Sequence, residues 1–288
     1  MPEIRLTGGE LDGLQLHYLE EGRGPATVLV HGLGGFAESW RHNLPELARH
    51  GRVIALDLPG SGRSAKPRRA YTPEFLAQAL GRLLHALGVD RVHLVGHSLG
   101  GAVAARYALD HPGRVERLAL LGAAVPGFDL RPSWIYRMMS VRGVGEILST
   151  FITRGICTAA LARCFDRPDP DEIRFFVHHE FKARSCSEGR AAYLSLLRSV
   201  TDDFRLGADA YRAALTRLGR GVLVVHGLQD RVIPLAHARQ VAEGLGVAQP
   251  RWLDNCGHFP QIEHPAVVNT YLHDFLFAPG SRPRPSPS

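Results

Sequence analysis

Val92-His93-Leu94-Val95-Gly96-His97-Ser98-Leu99-Gly100-Gly101-Ala102-Val103-Ala104-Ala105 is the stretch on which the fold turns. It opens as a short, unbroken apolar run, the pattern of a strand covered on both faces, as in a parallel sheet. It closes on small residues at helical length. Between the two lies Gly96-His97-Ser98-Leu99-Gly100, a G-x-S-x-G turn from strand to helix. Such a turn holds its serine in a tight, strained backbone, so the positions two before and two after cannot carry bulk. Gly96 and Gly100 meet that demand. Gly101, Ala102, Ala104 and Ala105 then let the helix approach the sheet closely.

Further apolar runs of the same kind lie on either side, Val28–Val30, Val53–Leu56, Leu118–Leu121 and Val222–Val225, and Arg251–Leu253 reads as a further strand. Between Val53 and Val92, Thr72-Pro73-Glu74 reads as an N-cap, a first-turn proline and a favourable acid. Phe75, Leu76, Leu80, Leu83, Leu84 and Leu87 then recur at helical spacing up to Gly88. Strands alternating with helices imply a mostly parallel, doubly wound α/β sheet. Two antiparallel strands are expected before it, near Ile4–Leu6 and Leu14–Leu19, joined across Gly8-Gly9 and Asp12-Gly13. No strand-like run separates Leu121 from Val222, which is too much chain for one crossover. We therefore expect a helical cap over 124–218, inserted before the penultimate strand. The core is expected over 1–123 and 219–278, with helices at Pro234–Gly244 and Pro265–Phe277. The Pro/Ser/Arg-rich tail 279–288 is expected to be disordered.

Composition narrows the class. Of 288 residues 45% are hydrophobic and 22% charged, values of an ordinary globular chain rather than a disordered or fibrous one. No stretch reaches the length of a membrane span, and Met1–Arg5 lacks a signal-peptide pattern, so a soluble, cytoplasmic protein is expected. The formal charge of +6 is carried by arginine, with Lys66 and Lys182 the only lysines. Its densest groups, Lys66–Arg69 and Arg282–Arg284, are short and have no aromatic partners, so no nucleic-acid partner is expected. Cys157, Cys164, Cys186 and Cys256 show no metal-ligand spacing and read as free, mostly buried thiols. No G-x-G-x-x-G or phosphate-loop pattern is present, so neither cofactor nor metal is expected.

A serine at such a turn becomes a nucleophile only with a base, and the base needs an orienting group. Acid and histidine are expected in that chain order, at the carboxyl ends of later strands. Asp230 follows Val222–Val225 in His226-Gly227-Leu228-Gln229-Asp230. His258 follows Arg251–Leu253 in Asn255-Cys256-Gly257-His258. An oxyanion needs two N–H donors. Leu99, next to the serine, supplies one. The loop His31-Gly32-Leu33-Gly34-Gly35 supplies the other, with Leu33 favoured and Gly34 the fallback.

The ordered set His31–Gly35, Asp57-Leu58-Pro59-Gly60-Ser61-Gly62-Arg63-Ser64, Gly96–Gly101, Gly227–Asp230 and Gly257-His258 resembles the α/β-hydrolase superfamily. The resemblance implies an α/β-hydrolase fold, a Ser98-Asp230-His258 triad and a small-molecule substrate, and it gives the Asp57–Ser64 loop a structural role. A serine at 98 departs from the aspartate elbow of haloalkane dehalogenases and epoxide hydrolases. Carboxylesterases, lactonases, perhydrolases and carbon–carbon hydrolases of vinylogous diketones keep the serine. The match to the last is incomplete at Leu33-Gly34-Gly35-Phe36 and at Ile262. A carboxylic-ester hydrolase acting on small to medium apolar substrates through an acyl-enzyme is therefore the first expectation. Carbon–carbon hydrolysis and a non-catalytic ligand-binding role are the alternatives. Met138, Met139, Phe151, Ile152 and Phe176 read either as pocket lining or as the cap's own core. His178 and His179 should diverge on their helix. Oligomeric state is left open.

Overall fold

The computed structural model describes residues 2–130, 132–202, 213, 216 and 221–277. Among these residues eight strands form one sheet: β1 (Glu3–Arg5), β2 (Gln15–Glu21), β3 (Ala26–Val30), β4 (Arg52–Leu56), β5 (Val92–His97), β6 (Val115–Leu121), β7 (Val222–Gly227) and β8 (Arg251–Leu253). Their spatial order is β1-β2-β4-β3-β5-β6-β7-β8. The first two pairings, β1 with β2 and β2 with β4, are antiparallel, and the remaining five are parallel. This is the mostly parallel sheet that the sequence pattern implies, and the α/β-hydrolase fold that the resemblance implies.

The apolar runs are continuous because each strand is covered on both faces. Helix α1 (Leu44–Ala48) lies against one face of the sheet; on the other, Val28, Val30, Ile54, Leu56, Leu94, Leu118, Leu120 and Val224 face the helices α2 (Pro73–Ala86), α3 (Leu99–Asp110) and Leu235–Gly244. Alternate residues, among them Leu29, Val53, Ala55, Val95, Ala119 and Val225, face Trp40, Leu44, Val268 and Leu272 on the α1 side. Helix α2 begins as its sequence requires: the Thr72 hydroxyl accepts the Phe75 N–H at 3.3 Å, and Pro73 stands in the first turn.

Register brings the functional loops to one edge. Val30 pairs with Gly96, His97 with Leu121, Leu121 with Val225 and Gly227 with Leu253. Further rungs continue beyond the strands: Ser98 N–H donates to Leu121 O, Gly122 N–H to Val225 O, and Leu228 N–H to Leu253 O. The segments after β3, β5, β7 and β8 therefore open side by side, where ligands bind in open α/β sheets.

Among the described residues, five helices stand between β6 and β7: α4 (Trp134–Ser140), α5 (Val144–Thr150), α6 (Arg154–Ala162), α7 (Pro170–Ala183) and α8 (Ser187–Asp202). Helix α7 is fastened to the sheet side. Glu172 bonds both Arg41 and His42 Nε2, the latter at 2.9 Å. Phe36 inserts among Phe175, Phe176 and His179. His178 and His179 do not fully diverge as expected: the first is exposed and the second stacks on Phe36 at 4.6 Å, yet their rings meet edge-on with centroids 5.3 Å apart. Most of 203–220 and the tail 279–288 lie outside the described residues. No single helix among those described is long and apolar enough to cross a membrane.

Candidate active site

Ser98 sits where β5 becomes α3, with φ 52° and ψ −122°. That is a left-handed backbone for a residue bearing a Cβ, shared among the described non-glycine residues only by Asn255. The flanking glycines make it possible. A Cβ on Gly100 would stand 2.2 Å from Val30 O, and one on Gly96 would stand 2.5 Å from Gly100 O. Ser98 is held nearly buried, at the amino end of α3.

Asp230 is buried in the loop after β7. One of its oxygens, Oδ1, accepts the N–H groups of Val232 and Ile233 at 2.8 and 2.9 Å. The other, Oδ2, lies 2.9 Å from His258 Nδ1. Burial alone raises its pKa, but the charge and hydrogen bond of His258, the neighbouring His226 and the Ile233 N–H together hold it below the usual carboxylate range. Asp230 is therefore ionised at neutral pH, and His258 donates through Nδ1. That leaves Nε2 as the nitrogen able to take a proton. His226, 3.5 Å from the same carboxylate oxygen, donates through Nε2 to Ile233 O at 3.0 Å.

His97, within the turn itself, is fully enclosed. Its Nε2 donates to the carbonyl of His258 at 2.8 Å, and its ring lies 4.8 Å from that of His258. Burial, reinforced by the His258 charge, pushes its pKa down to about 3, so it is a neutral strut rather than an acid. On the opposite loop, His31 Nε2 accepts the Leu58 N–H at 3.0 Å, so Nδ1 carries the proton and donates to Gly32 O. The Asp57–Ser64 loop closes this layer. Asp57 accepts from His17 Nδ1 and from the N–H groups of Ala37 and Arg63.

Ser98, His258 and Leu33 line one cavity of about 390 Å³ beneath helices α4 to α8. Asp230 lies behind His258. Leu33 rather than Gly34 reaches the cavity, and Gly34 instead lies against the Glu180 carboxylate. Among the described residues neither Leu33 nor Leu99 directs its N–H to a protein acceptor, as an oxyanion hole requires. Most of the lining is apolar, and Ile135, Met138, Phe151 and Ile156 are also exposed at its rim. Of the five cap residues left open by the sequence, Met138, Met139, Phe151 and Ile152 line the cavity. Phe176 does not. It packs on Phe36 and Phe259 in the seam between α7 and the sheet side.

Sequence reasoning missed the polar end of this cavity. Arg184 Nη1 donates to Glu180 Oε1 at 2.6 Å, and its guanidinium lies 3.7 Å over the Tyr193 ring. Burial raises the Tyr193 phenol to about 12 and holds Tyr136 far above its ordinary value, so both are neutral donors. An i,i+4 acid–arginine pair on a helix is common, and only the fold shows that this one faces a cavity. The cysteines divide differently from expectation: Cys157 and Cys256 are buried, Cys164 half-buried and Cys186 exposed. Cys164 shares the cavity with Ser98, yet burial, with Asp230 and Glu180 nearby, raises its thiol to about 12. It is protonated at neutral pH and offers no competing nucleophile.

Comparison with known proteins agrees with this architecture. Residues 27–270 match the model of the alpha/beta hydrolase family. The chain is 31% identical over 273 residues to the 2-hydroxymuconate semialdehyde hydrolase of a Pseudomonas species, covering 92% of this chain and 91% of that one. It is 32% identical over 281 residues to the dihydrolipoyllysine-residue acetyltransferase component of the acetoin cleaving system of Cupriavidus necator, covering 93% and 68%. Among solved structures, the 2-hydroxy-6-oxo-6-phenylhexa-2,4-dienoate hydrolase of a Rhodococcus species superposes with a TM-score of 0.77 at 28% identity, covering 92% and 95%.

Proposed function

The chain belongs to the α/β-hydrolase family, and from that premise we propose that it is a serine hydrolase with Ser98 as nucleophile, His258 as general base and Asp230 as orienting acid. The observation that carries this is the 2.9 Å contact of Asp230 with His258 Nδ1, beside a strained serine opening into the same cavity. In the proposed reaction Ser98 Oγ bonds to a substrate carbonyl carbon while its proton passes to His258 Nε2. The N–H groups of Leu33 and Leu99 stabilise the oxyanion. Collapse expels the leaving group, which takes the proton from His258. Water, deprotonated by the same nitrogen, then releases the acid and restores Ser98. The helices between β6 and β7 serve as the cap that selects the substrate.

For the bond broken, we put carbon–carbon hydrolysis of a vinylogous diketone first, ahead of the ester expected from the sequence. Relatives at 30–31% identity along nearly their whole length are named as hydrolases of 2-hydroxymuconate semialdehyde and of 2-hydroxy-6-oxo-dienoates, which supports this order. The leaving group is then a carbon whose electron pair is delocalised along the conjugated chain before it takes the proton.

One observation favours ester hydrolysis as the second reading. Among the described lining residues, Arg184 is the one permanently charged cation, and Glu180 already occupies it. A dienoate brings a carboxylate that needs such a cation, whereas a neutral ester does not. The test follows the absorbance of a 2-hydroxy-6-oxo-dienoate and of a chain-length series of p-nitrophenyl esters, with wild type and Ser98→Ala. Dienoate cleavage lost in the variant supports the first reading, and ester turnover alone supports the second. Absence of both sinks the hydrolase proposal.

A further inference from the structure

His258 is held by its backbone as well as by its ring, and the partners of that backbone come from the cap. Its N–H donates to Cys164 O at 2.7 Å, in the segment that leaves helix α6. The N–H groups on either side belong to one carboxylate. Glu263 Oε1 accepts from Gly257 at 3.0 Å and from Phe259 at 3.2 Å. Its Oε2 reaches Gly257 at 3.1 Å and accepts the N–H of Asp166, in the cap segment, at 2.8 Å. Three consecutive amides around the proposed base are thus fixed either to the cap or to the carboxylate that also holds the cap.

Other contacts make the same joint close. A Cβ on Gly257 would stand 2.5 Å from Cys164 O and 2.8 Å from the Asp166 nitrogen. The rings of Phe165 and Phe259 stack with centroids 4.8 Å apart. Arg167 donates to Asn255 Oδ1 at 2.8 Å, at the loop's one left-handed asparagine. A carboxylate suits this place because it accepts several donors and offers none. An amide in its position turns an NH2 group toward an N–H and leaves a donor unmet.

We propose that Glu263 is a positioning residue that couples the cap to the general base, so that the cap segment 164–166 and His258 move as one unit. The proposal rests on the reading of Ser98 and His258 as nucleophile and base. Displacement of the cap at this edge carries the imidazole away from Ser98, and seating of the cap restores it. A substrate that settles the cap therefore also sets its own base. Rate is sensitive to such shifts, since misplacement of a catalytic group by ~1 Å costs on the order of 100-fold.

The test uses a fluorophosphonate, whose reaction needs only the nucleophile and base. Ser98 Oγ bonds to phosphorus, the P–F bond breaks, fluoride leaves and His258 takes the serine proton. Labelling is followed with wild type, Ser98→Ala, Glu263→Gln and Glu263→Asp. The last keeps the charge but withdraws the oxygens by one methylene. Phosphonylation at saturation should fall by about 10- to 100-fold in both Glu263 variants, with the half-saturating concentration changed by less than about threefold. Hydrogen exchange should rise in peptides covering 163–168 and 255–263 and remain unchanged in the β3–β7 sheet. Glu263 variants labelled at the wild-type rate overturn the proposal. So does a slow variant whose exchange rises across the whole sheet, because Glu263 is then only a folding contact. Failure of wild type itself to be labelled at Ser98 overturns instead the proposed function.

Discussion

Replacing Asp230 by asparagine isolates the orientation of His258 from the shape of the site, because the side chain keeps its size and its neighbours remain. The wild-type carboxylate serves three donors: the Val232 and Ile233 N–H groups on Oδ1, and His258 Nδ1 on Oδ2. An asparagine has one oxygen and can place it on either side. Facing the two backbone N–H groups, it satisfies both and turns its NH2 toward His258, whose Nδ1 must then accept. That drives the proton to Nε2, the nitrogen that has to receive the serine proton. The flipped orientation restores the productive tautomer but sets the NH2 against two buried N–H donors, at about 1–3 kcal/mol each. A gap of about 2–6 kcal/mol leaves the productive arrangement about 30- to 25,000-fold less populated. The same substitution in serine proteases lowers kcat by about 10⁴-fold, at the upper part of this range. The assay is kcat for whichever substrate class the wild type turns over, with the pseudo-first-order fluorophosphonate rate as a substrate-independent check. An Asp230→Asn enzyme within threefold of wild type on both, with Ser98→Ala inactive, refutes the assignment of Asp230 as the group that fixes the tautomer.

Three further outcomes are expected. Ser98→Gly should abolish turnover yet raise the melting temperature by about 2–4 °C. A left-handed non-glycine residue stores about 1–3 kcal/mol, of which glycine's own chain entropy takes back about 0.5–1. Ser98→Ala should show no such gain, and equal melting temperatures for the two variants refute the strain. Acid should destabilise the fold before any carboxylate titrates. Burial holds His97 down to about 3 and His237 to about 4, against about 6.5 for an unfolded imidazole. Both folded values are depressed, so the unfolded chain takes up protons that the folded chain refuses. The stability is whole above about pH 6.5 and declines below it, by about 2 kcal/mol per histidine at pH 5. Urea midpoints unchanged between pH 7.5 and 5.0 contradict this. Glu180→Gln should release Arg184 and raise kcat/KM for a carboxylate-bearing substrate by about tenfold relative to a neutral ester, the worth of one charge-assisted hydrogen bond. A fall in that ratio means that Arg184 does not face the substrate.

What was legible in the sequence depended on how far apart in the chain each requirement lay. The turn at Ser98 imposes its demands within five residues, so Gly96 and Gly100 announce it. Helix Pro265–Phe277 and strand Arg251–Leu253 begin and end as read, since their signals are likewise local. The insertion after β6 was visible only as a gap between strands. Its helices carry local signals too, such as the Asp169-Pro170 start of α7, but which faces they bury is decided elsewhere. Phe176 illustrates this. Whether it lined the pocket or packed in the cap was open by periodicity. The ties of Glu172 to Arg41 and His42 turn α7 so that Phe176 meets Phe36 and Phe259, while Glu180 and Arg184, further along, face the cavity. Glu263 is the more instructive case. Two of its donors, Gly257 and Phe259, lie within six residues of it, so this part of its role is local. The third, Asp166, stands 97 positions away and gives the residue its coupling to the cap. Chemistry that needs one strained turn is written in one place, whereas the pocket's polarity and the seating of His258 arise where distant segments meet. The hydrolase family was therefore readable before the fold, whereas the polar groups that a substrate meets in the cavity depend on contacts that only the fold brings together.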